Sequence, residues 1–299
     1  MKQSSQSSNQ NRPKVAAAIP AFNEERYIGT IVLKTRQYVD EVIVVDDGSS
    51  DQTADVARLA GATVIRHEQN RGYGASIQTL LAEAKKRDLN ILVLLDADAQ
   101  HNPDEIPDLI KPISEGFDLV IGSRARRGTD IPRYRRVGQG VISYFSRILS
   151  GQKVADSESG FRVFSRKAIA SLELKESGMA VSAETIAQAA ESGLKITERP
   201  ISIKYTEDGS TLNPVVHGFG VLRRIIAMIS ERRPLFFFRL GGIILIILGL
   251  LAGIRVVSIV SQGGGLAMGT ALVSILLLVI GVFSIFTGII LHVLIKRRG

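Results

Sequence analysis

The chain has 299 residues, a formal net charge of +8 and no cysteine. The missing thiols exclude disulfides, zinc-thiolate sites and thiol catalysis. The positive balance suits anionic lipid surfaces and phosphate-bearing ligands. It argues less for nucleic acid, because the basic residues crowd beside apolar segments and not beside exposed aromatics.

Residues 1 to about 13 are rich in Ser, Gln and Asn and read as a disordered tail, too polar to be a signal peptide. Lys14 to Ile19 is a short apolar strand that runs into Pro20-Ala21-Phe22-Asn23-Glu24-Glu25 and then a helix carrying Ile28, Ile31, Val32 and Thr35. A second strand, Glu41 to Val45, ends in Asp46-Asp47-Gly48-Ser49-Ser50-Asp51, where Asp51 is placed to cap a helix through Leu59. Ala62 to Arg66 makes a third strand, and Asn70-Arg71-Gly72-Tyr73-Gly74 leads into a helix from Ala75 to Arg87.

The next stretch, Leu92-Val93-Leu94-Leu95-Asp96-Ala97-Asp98-Ala99-Gln100, is an apolar strand delivering two carboxylates and an amide at alternate positions. In extended chain, residues two apart point the same way, so Asp96, Asp98 and Gln100 could offer three oxygens to one hard divalent cation. A solvated strand end followed by a helix cap is the plainer alternative. Strand, helix, strand, helix in this rhythm means an α/β domain with a mostly parallel sheet covered on both faces. Ligands of such sheets gather beyond the C-terminal strand ends, where Pro20, Asp46, Asp47, Asp96 and Asp98 all fall. There is no glycine-rich phosphate loop of the dinucleotide or Walker type.

After the strand Leu119-Val120-Ile121 come Gly122-Ser123-Arg124 and a basic run containing Arg126, Arg127, Arg133, Arg135 and Arg136. The helix predicted next carries Val137, Val141, Tyr144, Phe145 and Ile148 on one face. A basic segment opening an amphipathic helix suits a membrane interface, where guanidinium groups could grip a lipid phosphate. Residues 213–234 form a second amphipathic segment with Phe219, Leu222, Ile226 and Ile229 on one face. Two apolar runs, about 235–260 and 266–295, each meet the roughly 20-residue requirement for a bilayer-spanning helix. Arginines precede the first run, Lys296, Arg297 and Arg298 follow the second, and the connecting residues 261–265 are uncharged. Both termini and the globular domain are therefore expected on the cytoplasmic side of the cell membrane, with Arg255 snorkelling to the far interface. The spans are also where copies of the chain could associate into a homo-oligomer.

Five motifs in order, Ile19-Pro20-Ala21-Phe22-Asn23-Glu24-Glu25, Val45-Asp46-Asp47-Gly48-Ser49-Ser50-Asp51, Asp96-Ala97-Asp98-Ala99-Gln100-His101, Gly122-Ser123-Arg124 and Ser159-Gly160-Phe161-Arg162, resemble those of family 2 glycosyltransferases with the GT-A fold. The likeness is greatest to dolichyl-phosphate mannose synthases and related polyprenyl-phosphate hexose transferases, and covers roughly residues 15–218. It implies a GT-A domain over 14–212, a Rossmann-like sheet ahead of two transmembrane helices. It also implies inverting transfer of a hexose from a GDP- or UDP-sugar to a polyprenyl or dolichyl phosphate with Mg2+ or Mn2+. Pro20, Phe22, Glu24, Val45 and Asp47 would surround the base and ribose. Asp96, Ala97, Asp98 and Gln100 would line metal and pyrophosphate, with Asp96, Asp98 and Gln100 as the metal set and Asp98 as direct ligand. Arg124 would stand near the diphosphate, so that Asp96, Asp98 and Arg124 form the catalytic group. Asp156 with Ser159 to Arg162 would shape the sugar end, and Glu184 matches an acidic position on the next helix.

The chain departs from the family pattern twice. The acceptor phosphate would fall to Arg135 or Arg136, but the serine expected one turn later is replaced by Gln139 and Gly140. Of the arginine and lysine that clamp the diphosphate near residues 201–211, only Lys204 is available. His101 reads as structural, and His67, His217 and His292 have no partner spacing that suggests a site. A processive polysaccharide synthase would carry a Gln-x-x-Arg-Trp motif, and this chain has no tryptophan. A catalytically silent membrane scaffold or lipid-binding subunit is the rival from another class.

Overall fold

In the computed structural model, residues 13–124, 154–203, 222–229, 234–265 and 267–296 are described. The expected tail, the helix after the basic run and most of the second amphipathic segment lie outside them. So do Lys204, Arg135 and Arg136. The chain divides into two compact units, Met1–Ile225 and Ile226–Gly299.

The first unit begins with β1 (Val15–Ala21), α1 (Glu25–Thr35), β2 (Glu41–Asp46), α2 (Thr53–Leu59), β3 (Thr63–Arg66), α3 (Tyr73–Lys86) and β4 (Ile91–Leu94). A 3₁₀ turn, Pro103–Glu105, opens α4 (Ile106–Ser114), followed by β5 (Leu119–Ser123). Beyond the basic segment come β6 (Arg162–Ser165), α5 (Arg166–Ser171), α6 (Val181–Glu191) and β7 (Ile196–Pro200). A short helix, α7, covers 222–229.

The seven strands form one sheet in the order β3-β2-β1-β4-β6-β5-β7. All described pairings are parallel except those of β6, which runs antiparallel to both β4 and β5. Because side chains alternate across a strand, β1 sends Ala16 and Ala18 into one core and Ala17 and Ile19 into the other. Helices α3, α5 and α6 cover the first face with Leu80, Ile169 and Ile186. Helices α1, α2 and α4 cover the second with Ile28, Ala57 and Leu109. The alanines of β1 leave little side chain at the centre of the sheet, so the bulk of both cores comes from its neighbours. Parallel pairing of β1, β2 and β4 brings their C-terminal ends to the same edge.

In one respect the chain differs from expectation. Strand β4 stops at Leu94, residues 97–99 bend, and Ala99 takes a left-handed φ of 60°. Asp96, Asp98 and Gln100 therefore do not stand on one face of extended chain. The pairing of β4 with its neighbours β1 and β6 ends at Ala18 and Arg162, opposite Leu94.

The second unit is dominated by α8 (Pro234–Ser261) and α9 (Met268–Lys296), 28 and 29 residues long. Both are long and apolar enough to cross a membrane, over Leu235–Ser261 and Met268–Leu291, and little of either is buried. They pack antiparallel through small residues. Gly242 lies against Gly281 and Ile285, Gly249 against Leu278, and Gly253 against Ser274. The Ser274 hydroxyl donates to the Gly249 carbonyl at 2.7 Å, and that of Ser284 donates to Phe238 at 2.9 Å. Such close backbone approach with side-chain hydrogen bonds is how apolar helices associate when no hydrophobic force separates them from lipid. Arg255 is exposed on α8.

Candidate active site

The strand ends border a cleft of about 350 Å³ lined by the loop after β1 (Pro20, Ala21, Phe22, Glu24), by Asp47 after β2, by Asn70, Gly72, Tyr73 and Ser76 at the start of α3, by Asp96, Ala97 and Asp98 after β4, and by Glu158 and Met179. Of the residues singled out in the sequence, Pro20, Phe22, Glu24, Asp47, Asp96, Ala97 and Asp98 are thus brought together. The Phe22 ring is 45% exposed at this cleft, an apolar face left open to a planar ligand.

The two aspartates after β2 have separate tasks. Asp46 accepts from the Ser49 backbone N–H at 3.1 Å and pairs with Arg66 at 3.1 Å, which makes it the turn residue. Asp47 faces the cleft, and its oxygens are almost fully engaged. Oδ1 meets His67 Nδ1 at 2.6 Å and accepts from the Arg71 N–H at 2.9 Å, while Oδ2 accepts from the Gly72 N–H at 2.8 Å. With about four acceptor sites on a carboxylate, roughly one remains for a ligand. His67, set aside in the sequence for want of a partner, is buried between Asp47 and the Thr79 hydroxyl, 3.0 Å from its Nε2. Its partner lies 20 residues away, just past the end of the neighbouring strand, and the β2–β3 pairing brings them together.

After β4 the surroundings change. Asp96 Oδ1 accepts from the Tyr73 hydroxyl at 2.9 Å, and the Asp96 N–H donates to His101 Nδ1 at 3.3 Å. His101 is buried and stacks near Phe161 with ring centroids 5.1 Å apart, a structural place. Gly160 leaves no room beside this carboxylate, since a Cβ there would collide with both Asp96 oxygens. Asp98 accepts from the Gln100 N–H at 3.0 Å. Burial, and then the charge of Asp96, push the Asp98 carboxyl above its ordinary value. Glu24 is pushed up to about 7 by burial and by the charges of Asp98, Asp51 and Asp96. Negative charge therefore accumulates around this end of the cleft.

Other sequence-derived residues stand elsewhere. Gln100 serves Asp98 through its backbone N–H and is not among the cleft-lining residues. The Val45 side chain is in the hydrophobic core. Arg124 makes a two-pronged pair with Asp156, Nε to Oδ2 at 2.6 Å and Nη2 to Oδ1 at 2.7 Å, and is not itself among the cleft-lining residues, although the charges of Glu158 and Asp96 act on it. Burial alone would raise the Asp156 carboxyl, but hydrogen bonds from Arg124 hold it below its usual range. Glu184 is buried and accepts from the N–H groups of Lys175 and Glu176, so it ties down the loop ahead of α6. Tyr73, Ser76, Glu158 and Met179 are cleft residues that the sequence reading had not assigned; Tyr73 and Ser76 sit at a helix start that carried no charge signal.

Among the described residues, no group of three or more His, Asp or Glu side chains is arranged to hold a metal. Asp96 and Asp98 together still fit a hard divalent cation of the kind that takes one or two carboxylates and completes its shell with phosphate and water. A mostly parallel sheet with nucleotide-sized space and strand-end carboxylates at one edge is the architecture of a GT-A glycosyltransferase.

The chain belongs to glycosyl transferase family 2, whose family model matches residues 17–172. It is 33% identical to the UDP-N-acetylglucosamine--dolichyl-phosphate N-acetylglucosaminyltransferase of Methanococcus voltae over 70% of this chain and 94% of that protein. It is 30% identical to the dolichyl-phosphate hexose transferase of Haloferax volcanii over 73% and 95% of the two chains. Among solved structures, glucosyl-3-phosphoglycerate synthase from Mycobacterium tuberculosis in complex with phosphoglyceric acid superposes with a TM-score of 0.60 at 26% identity, covering 74% of this chain and 80% of that one. The protein is a glycosyltransferase.

Proposed function

We propose that this glycosyltransferase moves a hexose from a nucleoside diphosphate sugar to a polyprenyl or dolichyl phosphate at the cytoplasmic face of a membrane, with inversion at the sugar carbon and with Mg2+ or Mn2+. The observation that carries the reading is the pairing, in one chain, of a carboxylate-lined cleft with two helices of bilayer length. The relatives named for dolichyl phosphate support the acceptor class.

In this reading Phe22 and the remaining acceptor site on Asp47, both at the cleft, would meet base and ribose. Asp98, with Asp96 beside it, would hold the divalent cation, which when bound neutralises charge on the departing nucleoside diphosphate. Tyr73 keeps Asp96 in place through its hydroxyl. Because an acceptor phosphate is already anionic at neutral pH, the attacking oxygen needs no base, and alignment and electrostatics do the catalytic work. The bond from phosphate oxygen to the anomeric carbon forms as the bond to the nucleoside diphosphate breaks, so no proton has to move.

The test is direct. Detergent-solubilised full-length protein is incubated with polyprenyl phosphate, Mg2+ or Mn2+, and UDP-glucose, UDP-N-acetylglucosamine or GDP-mannose in turn, and the lipid fraction is analysed by mass spectrometry. A lipid-linked hexose with one of the donors is expected. Transfer only to a soluble hydroxyl acceptor, undiminished activity in chelator, or no transfer at all would each overturn part or all of this reading. Because the chain has no cysteine, a Gln262→Cys variant labelled in intact vesicles reports which side the loop between the helices occupies, and the non-cytoplasmic side is expected.

A further inference from the structure

Glu158 is a cleft residue that no motif assigns. It projects from the loop before β6, between Ser157 and Ser159, and this loop is held unusually firmly. The guanidinium of Arg162, only 2% exposed, donates to the backbone carbonyls of Ser157 at 2.7 Å and Ser159 at 2.9 Å, the two residues flanking Glu158, and to that of Ser182 at 2.9 Å. A buried arginine used in this way stiffens backbone instead of pairing with a side chain. The same loop passes so close to Asp96 that a Cβ at position 160 would collide with its carboxylate. Glu158 is thus delivered to the cleft on a rigid support, yet its Oε1 is buried and has no hydrogen-bond partner among the described residues.

An unpaired buried carboxylate oxygen is costly unless something supplies a hydrogen. A phosphate cannot, because it brings like charge. A metal shared with Asp96 and Asp98 does not fit either, because the described acidic residues are not gathered into a three-ligand group. A sugar fits, since its ring presents neutral hydroxyl donors beside the diphosphate that Asp96 and Asp98 would attend. Resting on the transferase reading above, we propose that Glu158 accepts a hydrogen bond from a ring hydroxyl of the donor sugar and selects which hexose is transferred. The Arg162 grip on both neighbouring carbonyls explains how it could discriminate, because a carboxylate that cannot follow a misplaced hydroxyl distinguishes epimers.

The experiment uses full-length protein in detergent, with Glu158→Gln and Glu158→Ala, and two readouts. Calorimetry with Mg2+ measures binding of UDP and GDP alone. Transfer to polyprenyl phosphate measures kcat/KM for UDP-glucose, UDP-galactose, UDP-N-acetylglucosamine and GDP-mannose. Both variants are expected to bind the nucleoside diphosphate within about twofold of wild type, which also shows that they fold, while kcat/KM for the preferred donor falls roughly 10- to 100-fold in Glu158→Ala and the ratio between the two UDP-hexose epimers narrows. An unchanged ratio between the two UDP-hexose epimers, or an equal loss for UDP or GDP alone, overturns the assignment. Absence of transfer by the wild type with every donor instead overturns the transferase reading, and this assignment with it.

Discussion

Asp47, after β2, and Asp98, after β4, line the same cleft in opposite surroundings. Asp47 has two backbone N–H groups and a buried histidine around it. Asp98 has one backbone N–H and a neighbouring carboxylate, and burial and that charge raise its carboxyl. The first environment satisfies its charge and holds it still, which suits selective hydrogen bonding to a neutral nucleoside. The second leaves charge uncompensated, which suits a cation that would in turn take a diphosphate. One cleft is therefore electrostatically divided along its length, and each substitution below probes one side of that division.

The largest effect is expected from Asp98→Ala. If the β4 end works through charge on the leaving diphosphate, transfer falls roughly 100- to 1000-fold while UDP or GDP binding in chelator is little changed. Equal losses in both would erase the distinction between the two ends.

Next in size is a pH effect. Burial lifts the Glu158 carboxyl to about 7 from its ordinary 4.5, against the pull of Arg162 and Arg124. The folded chain then binds this proton more tightly than the unfolded chain. The stabilisation is fully present below pH 4.5 and is lost as pH rises through 7. Unliganded protein is expected to lose about 3 kcal/mol between pH 4.5 and 8 from this group, and Glu24 adds a loss of the same sign. Melting of wild type and Glu158→Gln across this range measures it; a Glu158→Gln profile as steep as wild type counts against the burial of charge here.

His67→Ala tests the satisfied end. Removing a buried partner from Asp47 costs about 2 kcal/mol of stability and weakens nucleotide binding without changing the metal concentration needed for activity. A shift in that concentration would show the two ends to be coupled.

The smallest change is Gly160→Ala, whose methyl must displace the Asp96 carboxylate. Overpacking of this kind costs about 1–2 kcal/mol. The loss of transfer is expected to exceed the loss of nucleotide affinity.

Much of the α/β unit is legible in the sequence. Periodic apolar runs marked β1, β2 and β4 because a strand buried on both faces must be apolar throughout. The helix bearing Ile28, Ile31, Val32 and Thr35 announced its buried face by spacing alone, and all four are buried on α1. The antiparallel β6 was not legible, since Arg162 to Ser165 is too short to show direction. Glu158 carries no sequence signal, because a lone glutamate among serines resembles a surface loop. His67 was discounted because sequence distance says little about what parallel neighbours bring together.

By itself, the sequence determined the rhythm of strands and helices, the two bilayer-length apolar runs and the carboxylates at the strand ends. These depend on local periodicity and on composition, which are written along the chain. Only the tertiary structure decided which aspartate caps a turn and which faces the cleft, that the chain bends after Asp96, and that Arg162 holds the loop bearing Glu158. The role of Asp47 depends on partners 20 or more residues away, as His67 is, and the others depend on how each turn closes against its neighbours, which no periodic pattern records.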